Sequence, residues 1–225
     1  MDSMTRRAAA VVMAWCLTGA SGPAFAADAP QVKFATSQGD IVVEVYPEKA
    51  PATVENFLQY VKDKHYDGTI FHRVIDHFMI QGGGLDSNMI EKRTRAPVAH
   101  EGREALAKGG PRNVVGTLAM ARTNDPNSAT AQFFINVNDN TNLDPVLIPP
   151  GDPVPRFQQG GRVYENVPRS QLLSIPQLYG YTVFGKVVSG MEVVNRIAAT
   201  PTGVKGFHRN VPVKPVVITS ATVLN

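Results

Sequence analysis

The stretch FHRVIDHFMIQGGG, residues 71–84, places a single arginine among large apolar side chains. The runs TIFHRVI and HFMIQ are rich in β-branched and aromatic residues, which is typical of strands, and the three glycines at 82–84 predict the end of the second strand. Strict alternation in the first run puts Phe71, Arg73 and Ile75 on one face. Such an arginine is either an edge residue that reaches solvent or a deliberately placed donor, and this stretch alone leaves both interpretations open.

The first 26 residues have the pattern of an export signal. Arg6 and Arg7 form a basic start, residues 8–17 are apolar, and residues 24–26 (Ala-Phe-Ala) are a small-x-small cleavage site. The apolar run is too short to span a bilayer, and an uncleaved or buried N-terminal helix is the alternative. We therefore expect a signal peptide at 1–26, a mature domain at 27–225 and, in a Gram-negative host, a location in the periplasm.

The composition of the mature domain argues against several functional classes. Removal of residues 1–26 takes away Asp2, Arg6, Arg7 and the only cysteine, Cys16, so the net charge falls from +3 to +2. Near-neutral, interspersed charge argues against nucleic acid as the main partner, and no later segment is long and apolar enough for a membrane helix. Without cysteine the domain has no disulfide and no thiolate metal site. No apolar stripe or heptad indicates an obligate assembly, so we expect a monomer.

No motif in the chain indicates a bound metal, nucleotide or covalent nucleophile. The five histidines show no metal-ligand spacing, and we interpret His72 as a structural strand residue. The triple glycine lacks the GxGxxG pattern of a nucleotide cradle, and no GxSxG elbow is present. The sequence therefore predicts neither a metal nor a cofactor.

Hydrophobic periodicity predicts about eight strands and two main helices, without strand–helix alternation or internal repeats. Residues 51–64 form the first helix, begun by Pro51, and residues 191–198 the second, ended before Pro201. A short helix near 103–107 and a basic loop between Pro201 and the last strand are further expectations. The pattern indicates a mainly β domain with its helices outside the sheet. Closure into a barrel would remove exposed edges, but the pattern does not decide it. The predicted strands are 31–37, 41–46, 69–75, 77–81, 116–121, 132–137, 181–187 and 216–224.

Residues 145–180 differ from the rest of the chain in composition. They contain seven prolines and four glycines, so we expect little regular structure there. We interpret the segment as a surface excursion whose length suggests a function, and recruitment of a partner protein is left open.

Four strings occur in order along the chain: FHRVIDHFMIQGGG, GTLAMARTNDPNSATAQFFINV, NLD and YTVFGKVVSGMEVV. Together they resemble the cyclophilins, which are peptidyl-prolyl cis-trans isomerases, and most closely the bacterial, exported branch. The resemblance covers about residues 30–225, apart from a Pro-rich insertion at about 145–178. It implies a closed eight-stranded antiparallel β-barrel capped by two α-helices. It also implies proline-containing peptides and unfolded exported proteins as partners.

The resemblance also assigns roles to individual residues. Arg73 matches the catalytic arginine, and Gln81 is expected to anchor the substrate carbonyl and orient Arg73. Asn142 stands where many members have an aromatic residue that contacts cyclosporin, so we expect weak or no binding of that drug. Arg122 and Tyr181 stand where eukaryotic members often have asparagine and histidine. The expected substrate-binding residues are Phe78, Met79, Ala121, Arg122, Thr123, Gln132, Phe134, Leu143 and Tyr181.

These residue types suit the rotation of a prolyl peptide bond. The bond resists rotation with a barrier of roughly 18–20 kcal/mol because the amide nitrogen shares its lone pair with the carbonyl. A donor aimed at the nitrogen, which accepts a hydrogen bond only when the bond is twisted, favours the transition state over the ground state. The competing hypothesis is a binding module or chaperone-like scaffold that uses the same pocket with little turnover.

Overall fold

The computed structural model describes residues 29–224, and the expected signal peptide lies outside them. Two single 3₁₀ turns lie at Thr141–Leu143 and Pro176–Leu178. The helices are α1 Pro51–Lys62, α2 Gly102–Ala107, α3 Arg169–Leu173 and α4 Met191–Ala198. The strands are β1 Gln31–Thr36, β2 Gly39–Val45, β3 Thr69–Ile75, β4 Met79–Asp86, β5 Thr117–Met120, β6 Phe133–Asn136, β7 Val154–Gln159, β8 Arg162–Val167, β9 Val183–Ser189, β10 Thr202–Lys205, β11 His208–Pro212 and β12 Ile218–Val223.

Eight of the strands form one antiparallel sheet in the order β12-β1-β2-β9-β5-β6-β4-β3. The two edges of the sheet meet, because the amide of Phe71 donates to the carbonyl of Val216 (2.9 Å) and that of Gly68 donates to Ile218 (2.8 Å). This nearly closed barrel confirms the mainly β architecture predicted from the sequence. Within residues 29–224 there is no helix of the length and apolar character needed to cross a membrane.

Aromatic side chains fill the interior of the barrel. Phe133 on β6 is fully buried, and its ring lies 5.1 Å from Phe34 and 5.5 Å from Tyr66, measured between ring centroids. Helix α1 adds Phe57 to this cluster, and α4 covers another part of the core with Val194 and its neighbours. Because β6 alternates, Phe133 points into this core and Phe134 packs in a separate apolar cluster.

The prediction that residues 82–84 end the second strand is wrong. Strand β4 continues through them to Asp86 because the missing side chains leave room for close neighbours. A Cβ on Gly83, whose φ is +84°, would lie 2.8 Å from the ring of Tyr66. A Cβ on Gly84 would lie 2.5 Å from the side chain of Gln132. The glycines therefore allow close packing within the strand.

Strict alternation along β3 is also not observed. The pairing of β3 with β4 shifts register between Phe71 and Arg73. Phe71 is consequently buried in the barrel core, whereas Arg73 is exposed and Ile75 packs with the separate apolar cluster. The irregularity turns Arg73 away from the core that holds Phe71.

The insertion at 145–180 contains more regular structure than the sequence predicted. Strands β7 and β8 form a hairpin, α3 follows it, and the segment has a small core of its own. The expectation of little structure was wrong because the apolar residues between the prolines are enough to pack together. Prolines are tolerated in such a two-stranded ribbon, where an edge needs no further hydrogen bonds. The buried residues of this small core are Ile148, Val154, Leu172 and Leu178.

The region expected to be a basic loop is also a hairpin, formed by β10 and β11. Its turn contains Gly206 and Phe207, and β11 packs beside β3. The ammonium group of Lys205 donates to the carbonyl of Ser87 (2.9 Å), which attaches the hairpin to the segment after β4. The packing of β11 against β3 places the hairpin next to the strand that carries Arg73.

Candidate active site

An open groove of about 600 Å³ lies beside β3, β4 and β6. Ten of the eleven residues expected to form the site line it, and Thr123 is the exception. The hydroxyl of Thr123 instead donates to the hydroxyl of Ser128 (2.8 Å). The lining residues are His72, Arg73, Phe78, Met79, Gln81, Leu85, Ala121, Arg122, Gln132, Phe134, Leu143, Tyr181, Phe207, His208, Arg209 and Asn210.

One end of the groove is apolar. Met79 and Phe134 are buried at its base, and the ring of Tyr181 meets Phe134 edge to face at 5.4 Å between centroids. Phe78 and Leu143 pack against the same cluster from the rim. These side chains, which come from several segments, form an apolar surface against which a small ring can pack.

Three polar side chains run along the groove beside this apolar end. Arg73 and Gln81 are paired across β3 and β4, and the Arg73 Nη1 donates to the Gln81 Oε1 (3.3 Å). The Gln81 Nε2 in turn donates to the Gln132 Oε1 (3.0 Å). These bonds orient the amide of Gln81 towards Arg73. They leave other donors of the exposed guanidinium available next to the apolar end.

Arg122 connects the groove to the insertion. Its Nε donates to the carbonyl of Gly180 (2.9 Å), its Nη1 donates to that of Thr123 (2.8 Å), and its guanidinium lies 4.8 Å from the centroid of the Tyr181 ring. The resemblance assigned the segment 121–123 to holding the substrate backbone. The side chain of Arg122 supports the chain just before Tyr181 and thereby the wall of the apolar end. The assigned role of the segment in holding the substrate backbone stays a prediction.

Sequence reasoning missed the residues that the β10–β11 hairpin adds to the groove. Phe207, His208, Arg209 and Asn210 all line it, although they follow β3 by more than a hundred positions in the chain. The only available signal was an aromatic residue beside a glycine in a basic segment. That signal carries no information about where the segment packs.

Two histidines near the groove, the buried His72 and the half-buried His100, are held in their neutral form. The amide of Gly102 donates to the His100 Nδ1 (3.2 Å), so the His100 Nε2 carries the hydrogen and donates to Gly180 (3.3 Å). Burial is the largest cause that lowers the pKa of His100 to about 4. Burial, followed by the nearby His208, lowers the pKa of His72 to about 4 as well.

The lowered pKa values of these two histidines predict a loss of stability in mild acid. Between pH 6.5 and about 4 the unfolded chain binds protons at both positions and the folded chain does not, so the free energy of unfolding falls as the pH falls. Urea unfolding at pH 7.5 and at pH 4.5 measures this loss. The double variant His72→Gln, His100→Gln should lose less stability over that interval than the wild type. An equal loss in both proteins would contradict the prediction.

In a comparison with known proteins, residues 31–223 match the family model described as cyclophilin type peptidyl-prolyl cis-trans isomerase/CLD. A peptidyl-prolyl cis-trans isomerase of Acinetobacter baylyi is 46% identical over 85% of this chain and 84% of its own length. Peptidyl-prolyl cis-trans isomerase B of Escherichia coli is 45% identical over 85% of this chain and 98% of its own. Peptidyl-prolyl cis-trans isomerase A of Dickeya dadantii is 42% identical over 98% of this chain and 99% of its own.

The fold is also similar to solved structures. A cyclophilin type peptidyl-prolyl cis-trans isomerase of Cryptosporidium parvum has a TM-score of 0.57 at 22% identity, covering 88% of this chain and 98% of its own. A second structure of that protein, obtained in the presence of the dipeptide Ala-Pro, has a TM-score of 0.56 at 22% identity, with 87% and 99% covered. At this identity the likeness concerns the fold.

Proposed function

Because this chain belongs to the cyclophilin-type peptidyl-prolyl cis-trans isomerases, we propose that it rotates prolyl bonds of exported proteins in the groove beside β3, with Arg73 as the donor. The observation that carries this proposal is the placement of an exposed guanidinium, oriented by Gln81, next to an apolar surface. No covalent bond needs to form or break in this reaction.

Arg73 would act on the prolyl nitrogen. As the bond twists, the nitrogen loses its resonance with the carbonyl, becomes pyramidal and is able to accept a hydrogen bond. In the planar ground state that lone pair is engaged, so the donor stabilises the transition state selectively. A guanidinium suits this role because it stays charged and presents a rigid set of N–H groups.

The surrounding groove would hold the substrate in place for this contact. Phe134 and Met79 would receive the pyrrolidine ring, and their apolar surroundings strengthen the hydrogen bond from Arg73 by lowering the local dielectric. Gln81, oriented by Gln132, would anchor the substrate carbonyl and keep it from rotating with the ring. This division of roles lets one half of the amide turn while the other is held.

The cellular setting is part of the proposal. The pattern of residues 1–26 supports export through a cleaved signal peptide and action in the periplasm on unfolded proteins, as a monomer. N-terminal sequencing of the protein recovered from its cells tests this, and Ala27 should be its first residue. Asn142, exposed beside Leu143, supports weak or no binding of cyclosporin.

The decisive experiment measures isomerisation of a short Ala-Pro peptide by NMR exchange at low temperature. The mature protein should raise the exchange rate well above the uncatalysed rate, in proportion to its concentration. Binding of the peptide without acceleration would overturn the proposed turnover and support the alternative of a binding module.

A further inference from the structure

The groove carries a local excess of positive charge. Among residues 29–224 its lining includes Arg73, Arg122 and Arg209 and no carboxylate, although the whole chain has 22 basic and 19 acidic residues. None of the three arginines forms an ion pair within residues 29–224. A cleft lined by one sign of charge attracts ligands of the opposite sign.

Of the three arginines, Arg209 is the one whose side chain makes no hydrogen bond within the described residues. Arg122 donates to backbone carbonyls beside the insertion, and Arg73 is oriented by Gln81. The side chain of Arg209 is exposed and has no hydrogen-bond or ion-pair partner in the described part of the chain. Its guanidinium therefore retains its full set of donors for a ligand in the groove.

The β10–β11 hairpin holds Arg209 in a defined place at the groove. Arg209 is paired with Val204 across the hairpin, and the following Val211 is buried. The contact from Lys205 to Ser87 attaches the other strand of the hairpin to the barrel. Arg209 thus stands on an anchored wall rather than on a free loop.

Phe207 adds an apolar surface to the same wall. Its side chain is fully exposed and lines the groove two residues before Arg209. Single exposed apolar residues are common and need no explanation by themselves. Here the aromatic ring and the unpaired guanidinium border the same groove as Arg73, on the side that the hairpin forms.

We propose that the β10–β11 hairpin selects proline-containing segments that carry an aspartate or glutamate close to the proline, with Arg209 binding the carboxylate and Phe207 covering its stem. The inference rests on the proposed function, because it names the class of substrate for the same groove. Arginine fits this role since its planar fork matches a carboxylate. An exposed ion pair of this kind changes affinity by a factor of up to about five.

The test uses pairs of short proline-containing peptides that differ at one position, which is Glu in one peptide and Gln in the other. This position is moved in turn through the two residues before the proline and the two residues after it, and all remaining residues flanking the proline are Ala. The ratio of kcat/KM for the Glu peptide over the Gln peptide is measured by NMR exchange. At one position the wild type should favour Glu about threefold to fivefold at low salt. The preference should fall towards one in 0.5 M NaCl because salt screens exposed charges.

Two variants and a control assign the preference to its residue. Arg209→Gln should bring the ratio to about one, and Arg209→Glu should reverse it, because the like charge repels the peptide. Arg162→Gln removes another exposed arginine, on β8 and away from the groove, and should keep the ratio of the wild type. A ratio taken within each variant is independent of any general change in its activity.

The outcomes separate this inference from the proposed function. Equal catalysis of Glu and Gln peptides at every position would overturn the inference and leave the isomerase intact. An unchanged preference in Arg209→Gln would overturn the assignment to the hairpin. Absence of turnover with all peptides would overturn the proposed function. The Glu-to-Gln ratio of binding affinities, read from the same spectra, would then still decide the inference.

Discussion

Replacement of Arg73 by alanine should lower kcat/KM for an Ala-Pro peptide by about 100- to 1000-fold, the effect seen when one transition-state donor is removed from an active site. The side chain is exposed and its single described hydrogen bond goes to Gln81, so its removal leaves no buried cavity. The free energy of unfolding should therefore change little. NMR exchange at low temperature gives the rate, and circular dichroism with urea unfolding checks the fold.

Two further variants make the Arg73 result specific. Arg73→Lys keeps the charge but loses the planar fork, so it should recover only part of the rate. Arg162→Ala removes an exposed arginine from β8 and should retain the wild-type rate. A folded Arg73→Ala protein that still catalyses at the wild-type rate would show that the donor is another group.

Substitutions of the neighbouring residues Phe133 and Phe134 should affect stability and activity to different extents. Phe133→Ala removes a fully buried ring from the aromatic core, which costs about 3–5 kcal/mol in the free energy of unfolding. For a domain of this size the midpoint of thermal unfolding should fall by roughly 10 °C. Calorimetry measures this fall, and the protein that remains folded at low temperature should retain much of its activity.

Phe134→Ala should lower the activity more than the stability of the fold. Its ring lies at the base of the groove against Tyr181, so its loss removes apolar contact from the substrate as well as from the protein. Burial of a Phe side chain contributes about 1.5–3 kcal/mol, which corresponds to a loss of roughly ten- to hundredfold in kcat/KM. The fall in the thermal midpoint should be smaller than for Phe133→Ala. Equal effects of the two substitutions on both measurements would contradict the assignment of Phe134 to the groove.

The insertion shows why composition alone misjudges a segment. Most of the prolines and glycines of the insertion lie in irregular backbone, but Pro155 lies within β7, and the apolar residues between them were not counted as a core. Val154, at the start of the β7–β8 hairpin, and Leu172, in α3 after it, are buried together although they lie far apart in the chain. A small core of this kind depends on contacts between positions that no local pattern relates.

The sequence by itself determined the eight strands of the barrel and the two main helices, because these follow from periodicity. Most of the groove followed from the motifs of consecutive residues that carry the family resemblance. Only the tertiary structure decided that Arg73 faces away from the core that holds Phe71, since this depends on a register shift between β3 and β4. It alone brought Arg209 to the same groove from the other end of the chain. The physical reason is that register and docking depend on packing between distant segments, which a local pattern does not encode.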